Sequence, residues 1–380
     1  MDMTQLRARI DEVDEQLVKL FNQRMDTVRQ IAEYKKAHDL PVMDALRERE
    51  KLTRIAETVG EDTRDYVRVL YSLLFELSRS YQGSLMDRQG ELYIEITHAI
   101  ENTQRLFPKS AVVACQGTEG AYSQIACDKL FRDPKIMYWA SFENVFSAIE
   151  KGMCRYGILP IENSSAGSVN KVYDLMIKHN FHIVRSTRIK IDHCLLAKPG
   201  AKLSEIKEIY SQEQAIAQCS DFLKKLIGVK VTPCENTAVA SKMIAESDRT
   251  DIAALSSRNC AELYGLAVLA QNVQDAGNNH TRFICISKNL EIYPGADKTS
   301  VMMVLPHKPG ALYKVLARLY SLGINLIKLE SRPIPERDFE FMFYFDLETS
   351  VYSSEFVQLM SELGGMCEDF KYLGSYSEVI

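Results

Sequence analysis

The sequence predicts a multi-domain protein with an all-α unit, then a two-lobed α/β unit, then a small α+β unit of ferredoxin-like plan. Three observations predict this order. The 380 residues exceed what a single hydrophobic core accommodates. Glycine-poor sequence with helical periodicity gives way near residue 105 to alternating strands and helices. A second change of pattern follows Pro294-Gly295.

The first 105 residues have the pattern of packed helices, with only three glycines and no cysteine. Apolar side chains form one stripe along the first part: Leu6, Ile10, Val13, Leu17, Leu20, Met25, Val28 and Ile31. This stripe predicts a long amphipathic helix. The helix ends near Asp39 to Pro41, because proline disfavours helix at the residue before it. Further helices are predicted from about Asp44 to Val59 and from about Thr63 to Tyr81.

From Ser110 the chain repeats a unit of strand, polar turn and helix. Residues 111–115 and 156–161 are apolar strands that each end in a turn rich in Gly, Ser or Asn, and shorter examples follow at 208–210, 229–231 and 252–255. Such alternation predicts an α/β core with a mostly parallel sheet. The span of about 180 residues is enough for two lobes.

The C-terminal part predicts the order βαββαβ, a ferredoxin-like plan. The predicted elements are strand Ser300–Leu305, helix Pro309–Leu322, strand Ile324–Arg332, strand Phe339–Leu347, helix Ser353–Leu363 and a strand near 368–374.

Composition excludes several classes of protein. The formal net charge of −5 does not fit a generally basic nucleic-acid or membrane-surface binder. No run approaches the 18 apolar residues of a membrane span, and the charged N-terminus lacks the apolar core of a signal peptide. The nine cysteines form no CxxC motif. They are typical of free thiols in a reducing cytosol, so we expect a cytoplasmic protein without metal, cofactor, nucleic-acid partner or membrane.

Two basic residues of the first predicted helix are placed to bind one small anion. Arg24 and Lys35 are 11 positions apart. They therefore lie within about 20° of one face and about 16 Å apart along the axis. Arg7 is about 25 Å and about 100° from Arg24, so it is either surface charge or part of a site completed by a second chain. The whole charged face is also compatible with an ordinary solvated helix.

Residues 6–50 carry the pattern L-R-x-x-I-D-x-x-D-x-x-L-V-x-L-x-x-x-R, followed by K-x(5)-P-V-x-D-x-x-R-E. This pattern resembles the AroQ-type chorismate mutases. The resemblance implies an intertwined helical dimer in which Arg7 reaches the partner's site.

The same resemblance assigns roles to the remaining positions of the pattern. Arg24 and Arg47 hold the two substrate carboxylates, an arrangement that suits the bidentate guanidinium group. Lys35 and Gln82 are the catalytic donors to the breaking ether oxygen. The other implied pocket residues are Asp44 and Glu48, which bind the substrate hydroxyl, and Ser78.

The polar turns of the central part suggest either simple helix caps or an anion-binding cleft at helix N-termini. Four strings decide between them: Gly117–Ser123, Pro160–Gly167, Ile191–Leu195 and Asn279–Phe283. They resemble prephenate dehydratase over residues 109–288. The resemblance implies two α/β lobes like those of a periplasmic binding protein, with the site between them.

Thr281 resembles the family's proposed acid, which acts by hydrogen bonding to the departing hydroxyl. The other substrate-binding positions implied are Thr118, Tyr122, Asn163, Ser164, Ser211, Gln218, Arg282 and Phe283. Arg282 fits an internal ion pair equally well. His193 and His280 are interpreted as structural, since neither reaction requires an imidazole.

The strings Gly310-Ala311-Leu312 and Glu330-Ser331-Arg332-Pro333 resemble the phenylalanine-binding motifs of ACT regulatory domains. The resemblance implies that L-phenylalanine binds between two such domains and inhibits the dehydratase.

All three parts together resemble the bifunctional chorismate mutase–prephenate dehydratase family, with domains expected at 1–90, 109–288 and 298–376. The expected path leads from chorismate through prephenate to phenylpyruvate in a homodimer. Two alternatives remain for the central part, which are action on arogenate and a non-catalytic sensor of aromatic metabolites.

Overall fold

The computed structural model describes residues 2–85, 91–334 and 340–380. The chain divides into two compact units. The first comprises the described parts of residues 1–94 together with 357–366, and the second comprises those of 95–356 and 367–380. No helix among the described residues is long and apolar enough to cross a membrane.

The first unit is all-α, as predicted. Its main helices are α1 (Met3–Ala37), α2 (Ala45–Glu57) and α3 (Arg64–Leu85), and α4 (Glu91–Asn102) begins in it. The side chain of Asp2 caps α1 in a capping box with Gln5, and Asp44 caps α2. Helix α4 was not predicted from the sequence.

Much of α1 presents apolar side chains to solvent. Its only buried residues are Val28 and Ala32. The exposed apolar stripe of α1 consists of Leu6 (43% exposed), Ile10 (60%), Val13 (53%), Leu17 (56%) and Leu20 (63%). Exposed apolar surfaces of this length are uncommon on monomeric proteins.

The second unit contains sixteen described strands and most of the remaining helices. The strands are β1 (Val112–Gln116), β2 (Lys135–Trp139), β3 (Tyr156–Asn163), β4 (Gly167–Ser168), β5 (His182–Lys190), β6 (Cys194–Ala197), β7 (Glu208–Ser211), β8 (Lys230–Pro233), β9 (Ile252–Ser256), β10 (Ala267–Ala270), β11 (His280–Ser287), β12 (Lys298–Val304), β13 (Asn325–Pro333), β14 (Phe341–Glu348), β15 (Asp369–Tyr376) and β16 (Glu378–Val379). The helices that begin in this unit are α5 (Tyr122–Leu130), α6 (Phe142–Glu150), α7 (Asn170–Lys178), α8 (Glu213–Gln218), α9 (Ser220–Lys224), α10 (Thr237–Glu246), α11 (Arg258–Tyr264), α12 (Ala311–Ser321) and α13 (Ser354–Met366), of which residues 357–366 belong to the first unit.

Two sheets form the two lobes. The first has the order β16-β5-β11-β3-β1-β2, with β4 on β3, and the second has the order β10-β6-β9-β7-β8. The chain leaves the first sheet after β5 and returns to it as β11. The expectation of mostly parallel sheets was wrong, because β11 is antiparallel to both β3 and β5, and β6 is antiparallel to β9 and β10. A strand that returns from the other lobe enters its sheet from the opposite end.

The third sheet has the order β13-β14-β12-β15 and is antiparallel throughout. With α12 and α13 it gives the predicted ferredoxin-like order βαββαβ. Strand β14 begins at Phe341, whereas the predicted start at Phe339 lies outside the described residues.

Side chains of the third sheet share a hydrophobic core with the first. Ile284 and Ile286 of β11 belong to one buried cluster with Met302 of β12 and Tyr344 of β14. Because side chains alternate along a strand, Arg282 also lies on this face of β11. Thr281 lies on the opposite face.

Candidate active sites and a candidate regulatory site

The directions of α2 and α3 follow from two cross-links. Arg64 Nε donates to the carbonyl oxygen of Ala56 at 3.2 Å, and Arg79 Nη1 donates to the Glu48 carboxylate at 2.5 Å. The two helices are therefore antiparallel, and the start of α2 lies beside the C-terminal half of α3.

Helix α1 runs parallel to α3. Arg24 Nη1 donates to Ser78 Oγ at 2.5 Å, and Lys36 Nζ lies 3.5 Å from the carbonyl oxygen of Leu85. In both helices, the residue of the second contact lies closer to the C-terminus than the residue of the first. The C-terminal halves of α1 and α3 thus lie side by side.

The segment between α1 and α2 completes the same end of the unit. Lys35 Nζ donates to the carbonyl oxygen of Val42 at 2.6 Å, and Asp44 Oδ1 accepts from the backbone N–H of Arg47 at 3.0 Å. Seven of the eight residues predicted for the first site therefore lie toward this end: Arg24, Lys35, Asp44, Arg47, Glu48, Ser78 and Gln82. The side chain of Arg7 is exposed near the other end of α1.

The interior of this first site is rich in hydrogen-bond donors. Burial lowers the pKa of Arg24 from its usual value, although arginine keeps its charge. Gln82 is 7% exposed and donates one Nε2 hydrogen to the carbonyl oxygen of Ser78 at 3.2 Å. Its Oε1 is buried without a hydrogen-bond partner among the described residues. Sequence analysis missed Arg79, which neutralises Glu48 and whose role depends on the pairing of α2 with α3.

The second site lies where β3 and β11 pair. Thr281 stands opposite Asn163 in the antiparallel register, and Asn163 Nδ2 donates to Thr281 Oγ1 at 2.9 Å. Both side chains are at least nine-tenths buried. The structure thus brings together the predicted acid and a predicted cleft residue.

Polar groups that lie outside the first sheet extend this pair. Gln218, the last residue of α8, accepts a hydrogen bond from Asn279 Nδ2 at 3.0 Å, and His193 Nε2 lies 3.1 Å from the same Oε1. Burial lowers the pKa of His193 from its usual value, which favours the neutral ring. Asn279 was not singled out from the sequence, although it belongs to the quoted string.

The loop before α5 supplies another wall. Tyr122 donates its hydroxyl to the carbonyl oxygen of Asp192 at 2.9 Å. Asn236 Oδ1 caps α10 by accepting from Val239 N at 2.8 Å. The Nδ2 atom of Asn236 is buried without a hydrogen-bond partner in the described part of the chain. It lies near Gly117, so it is a further candidate donor that sequence analysis missed.

Two predicted cleft residues occupy interior positions. The Ser211 hydroxyl is fully buried and donates to the carbonyl oxygen of Leu255 at 2.7 Å, which cross-links β7 and β9. Phe283 is 4% exposed and packs in the core with Val113 and Tyr156. Neither side chain is exposed in this structure, and their role in substrate binding stays a prediction.

Arg282 is also an interior residue. Its Nε lies 2.7 Å from Glu162 Oε1, and its Nη2 pairs with Asp346 of β14. Burial lowers the pKa of Arg282, but Asp346 and then Tyr376, Tyr344 and Glu162 outweigh it and raise the pKa above its usual value. This geometry fits the ion-pair alternative and not a contact with substrate.

Ser164 and Thr118 flank the site. Ser164 is exposed, and its hydroxyl donates to the carbonyl oxygen of Asn278 and accepts from His280 N, both at 2.9 Å. These bonds join the turn after β3 to the segment before β11. Thr118 is half-buried in the loop before α5.

The two predicted regulatory motifs lie on different elements of one chain, and in the strand register Ser331 and Pro333 lie opposite Phe343 and Phe341. Ala311 and Leu312 line a pocket of about 370 Å³ with Pro309, Phe341 and Phe343. Residues 330–333 lie instead on the edge strand β13.

Two alternate side chains of the second motif form polar contacts with other residues of the chain. Glu330 Oε2 accepts from Ser168 Oγ at 2.6 Å, and Arg332 pairs with Asp174 at 3.0 Å. Ser331 and Pro333 are exposed on the other face of β13.

Two family models match the chain. Chorismate mutase type II matches residues 6–83, and prephenate dehydratase matches residues 113–291. A bifunctional chorismate mutase/prephenate dehydratase of Escherichia coli (strain K12) is 32% identical over 381 residues, which cover 98% of this chain and 95% of that protein. Arogenate dehydratase 2 of Petunia hybrida is 37% identical over 281 residues, or 70% of this chain and 71% of that one. A crystal structure of prephenate dehydratase from Arthrobacter aurescens in complex with L-Phe has a TM-score of 0.64 at 28% identity, covering 70% of this chain and 89% of its own.

Proposed function

We propose a division of chemistry within this chain, which belongs to the family of bifunctional chorismate mutase/prephenate dehydratases. The helical unit rearranges chorismate to prephenate. The two-lobed part then converts prephenate to phenylpyruvate, the precursor of L-phenylalanine. The two active sites use separate sets of residues.

The mutase step needs a flexible dianion held in its reactive conformation, with donors aimed at the oxygen where negative charge develops. Arg24 and Arg47 hold the carboxylates, and Asp44 and Glu48 bind the hydroxyl. Lys35 and the second Nε2 hydrogen of Gln82 donate to the ether oxygen. Partial burial of Arg24 and Lys35 strengthens their charged hydrogen bonds, because less water competes for them.

The dehydratase step breaks the ring C–O bond and the bond to the ring carboxylate. The carboxylate leaves as carbon dioxide, its bonding electrons complete the aromatic ring, and the hydroxyl departs as hydroxide, which a proton from solvent converts to water. Thr281 donates its hydroxyl hydrogen to the departing oxygen. One observation supports this role above the others: Asn163 already donates to Thr281 Oγ1, so the Thr281 hydrogen is free to act as a donor.

L-Phenylalanine is the proposed inhibitor of the dehydratase. The pocket beside Ala311 and Leu312 is apolar enough for an aromatic ring. Exposed Ser331 and Pro333 of a second chain complete the site with Gly310, Ala311 and Leu312, while Glu330 and Arg332 hold β13 in place through Ser168 and Asp174. On this proposal the domains span 1–90, 109–288 and 298–376.

A homodimer is proposed for the helical unit as well. The exposed apolar stripe of α1 needs a partner, and Arg7 is too far from Arg24 to serve the same site within one chain. A second copy supplies both the cover for the stripe and the missing cation.

Arogenate is a second candidate substrate for the two-lobed part, favoured by the 37% identity to the Petunia enzyme. Arogenate carries an amino group where prephenate carries a keto group. Parallel assays with each substrate distinguish phenylalanine from phenylpyruvate as the product.

The proposed function is tested by following phenylpyruvate formation from chorismate in EDTA, with and without L-phenylalanine. Arg24→Ala is expected to abolish the mutase and spare the dehydratase, and Thr281→Ala is expected to do the reverse. Each variant thus serves as the folding control for the other. Loss of both activities from one folded variant would contradict the separate sites.

A further inference from the structure

Five side chains form one continuous hydrogen-bonded series through the second site. In order they are His193, Gln218, Asn279, Asn163 and Thr281. The contacts are His193 Nε2 to Gln218 Oε1 (3.1 Å), Asn279 Nδ2 to Gln218 Oε1 (3.0 Å), Asn163 Nδ2 to Asn279 Oδ1 (2.7 Å) and Asn163 Nδ2 to Thr281 Oγ1 (2.9 Å).

Two backbone groups set the direction of every bond in this series. The N–H groups of Ser165 and Ala166 donate to Asn163 Oδ1 at 3.0 and 2.9 Å. A backbone N–H cannot accept a hydrogen bond, so the amide of Asn163 must place its Nδ2 toward Asn279 and Thr281. Its orientation is fixed without reference to any ligand.

The constraint then passes along the series in both directions. Asn279 must accept at Oδ1 from Asn163, which turns its Nδ2 toward Gln218 and makes Gln218 Oε1 the acceptor. Thr281 Oγ1 must accept from Asn163 as well, which leaves its hydrogen for another acceptor. The hydrogen-bonding state of the reacting hydroxyl is therefore set by Asn163 and by the groups that orient it.

We propose that Asn279 is a positioning residue for the dehydration step, because its Oδ1 accepts from Asn163 Nδ2 and so holds in place the amide that Ser165 and Ala166 orient, which leaves the Thr281 hydrogen for the leaving hydroxyl. This proposal rests on the proposed role of Thr281 as the donor. Asn279 is 2% exposed, and both of its polar ends are engaged by Asn163 and Gln218. It has no group left for the substrate, so it acts through Asn163.

The first test compares Asn279→Ala with Asn278→Ala in the full-length chain. Asn278 is the adjacent residue of the same type, and its side chain is exposed. We expect Asn279→Ala to lower the dehydratase kcat about 10- to 100-fold, since misplaced proton donors lose much of their contribution. The KM for prephenate should stay within about twofold, since the residue does not touch substrate. Asn278→Ala should leave both constants unchanged.

A purely structural role for Asn279 predicts a different pattern. Loss of packing between the lobes would raise the KM together with the fall in kcat, or lower the melting temperature without a specific loss of kcat. Mutase activity of the same preparation reports that the chain is folded. A normal kcat, or a rise in KM equal to the fall in kcat, would overturn the proposal.

A double-substitution cycle tests whether Asn279 acts through Thr281. The β-methyl group of threonine restricts its rotamer, and Thr281→Ser removes this restraint. If Asn279 supplies the second restraint, the combined variant should lose more kcat than the product of the two single losses. A simple product would mean that Asn279 acts elsewhere.

Thr281→Ala separates this proposal from the one on which it rests. Full dehydratase activity in Thr281→Ala would refute the assignment of Thr281 itself. Loss of activity in Thr281→Ala beside normal activity in Asn279→Ala would refute the positioning role alone.

Discussion

Replacement of Arg282 by methionine should destabilise the protein without weakening prephenate binding. The guanidinium group is 3% exposed and lies between the carboxylates of Glu162 and Asp346. Methionine fills a similar apolar volume but removes the charge. The Asp346 carboxylate, which is 1% exposed, then keeps the hydrogen bond from the Ser300 hydroxyl but loses its ion pair with Arg282.

The expected loss follows from this stranded charge. Removing one member of a buried ion pair lowers the free energy of unfolding by about 3–5 kcal/mol. For a unit of this size, such a loss lowers the melting temperature by on the order of 10 °C. Arg155→Met is the control, because the Arg155 side chain is 51% exposed and its pair with Glu291 is worth about 1 kcal/mol or less.

The assay combines thermal unfolding with dehydratase kinetics below the transition. Adding Asp346→Asn to Arg282→Met removes the stranded charge, so part of the lost stability should return. The KM for prephenate should stay close to that of the unchanged chain. An unchanged melting temperature with a KM raised 10-fold or more would show that Arg282 binds substrate, and the reasoning would be refuted.

Three other outcomes are expected. Gly120→Ala should abolish the dehydratase and spare the mutase, since Gly120 has φ +89° and a Cβ there would lie 2.9 Å from Cys260 Sγ. Gly152→Ala is the control, because Gly152 has φ +72° but open space around it, and this variant should keep dehydratase activity. Burial and then Lys371 lower the pKa of His182 from 6.5 to about 4. The contribution of neutral His182 to the free energy of unfolding is therefore fully present above pH 6.5, and it should fall by up to about 3 kcal/mol as the pH drops to 4. Unfolding curves measured across this pH range should lose this pH dependence in His182→Leu. Ile10→Asp, in the apolar stripe of α1, should yield monomers by light scattering and lose mutase activity, whereas Gln16→Asp should do neither.

The helices of the first unit were predictable because their hydrophobic period persists over many turns. The first three predicted spans match α1, α2 and α3 to within a few residues at each end. Helix α4 has a shorter apolar pattern with several β-branched residues, and its pattern alone does not distinguish a helix from a strand. Strand direction was not predictable, since it depends on where the chain crosses between lobes.

The second site was predicted unevenly for a related reason. Thr281, Arg282 and Phe283 are consecutive in a strand, so they cannot all face one cleft. Thr281 contacts Asn163, while Arg282 turns to the opposite face. Asn279 gains its importance from contacts with residues 61 and 116 positions away in sequence. No local pattern reports such contacts.

The core that the first and third sheets share limits how far this chain can be treated as interchangeable modules. Ile284 and Ile286 of the first sheet are buried in one cluster with Met302 and Tyr344 of the third. In addition, β16, which follows the last strand of the third sheet, pairs with β5 of the first. A C-terminal part grafted from a relative would have to match these side chains in volume, since each misfit costs about 1–3 kcal/mol. Feedback control is therefore expected to be transferred only together with the first sheet. A chimera should take the first and third sheets from the same protein, with its junctions outside both.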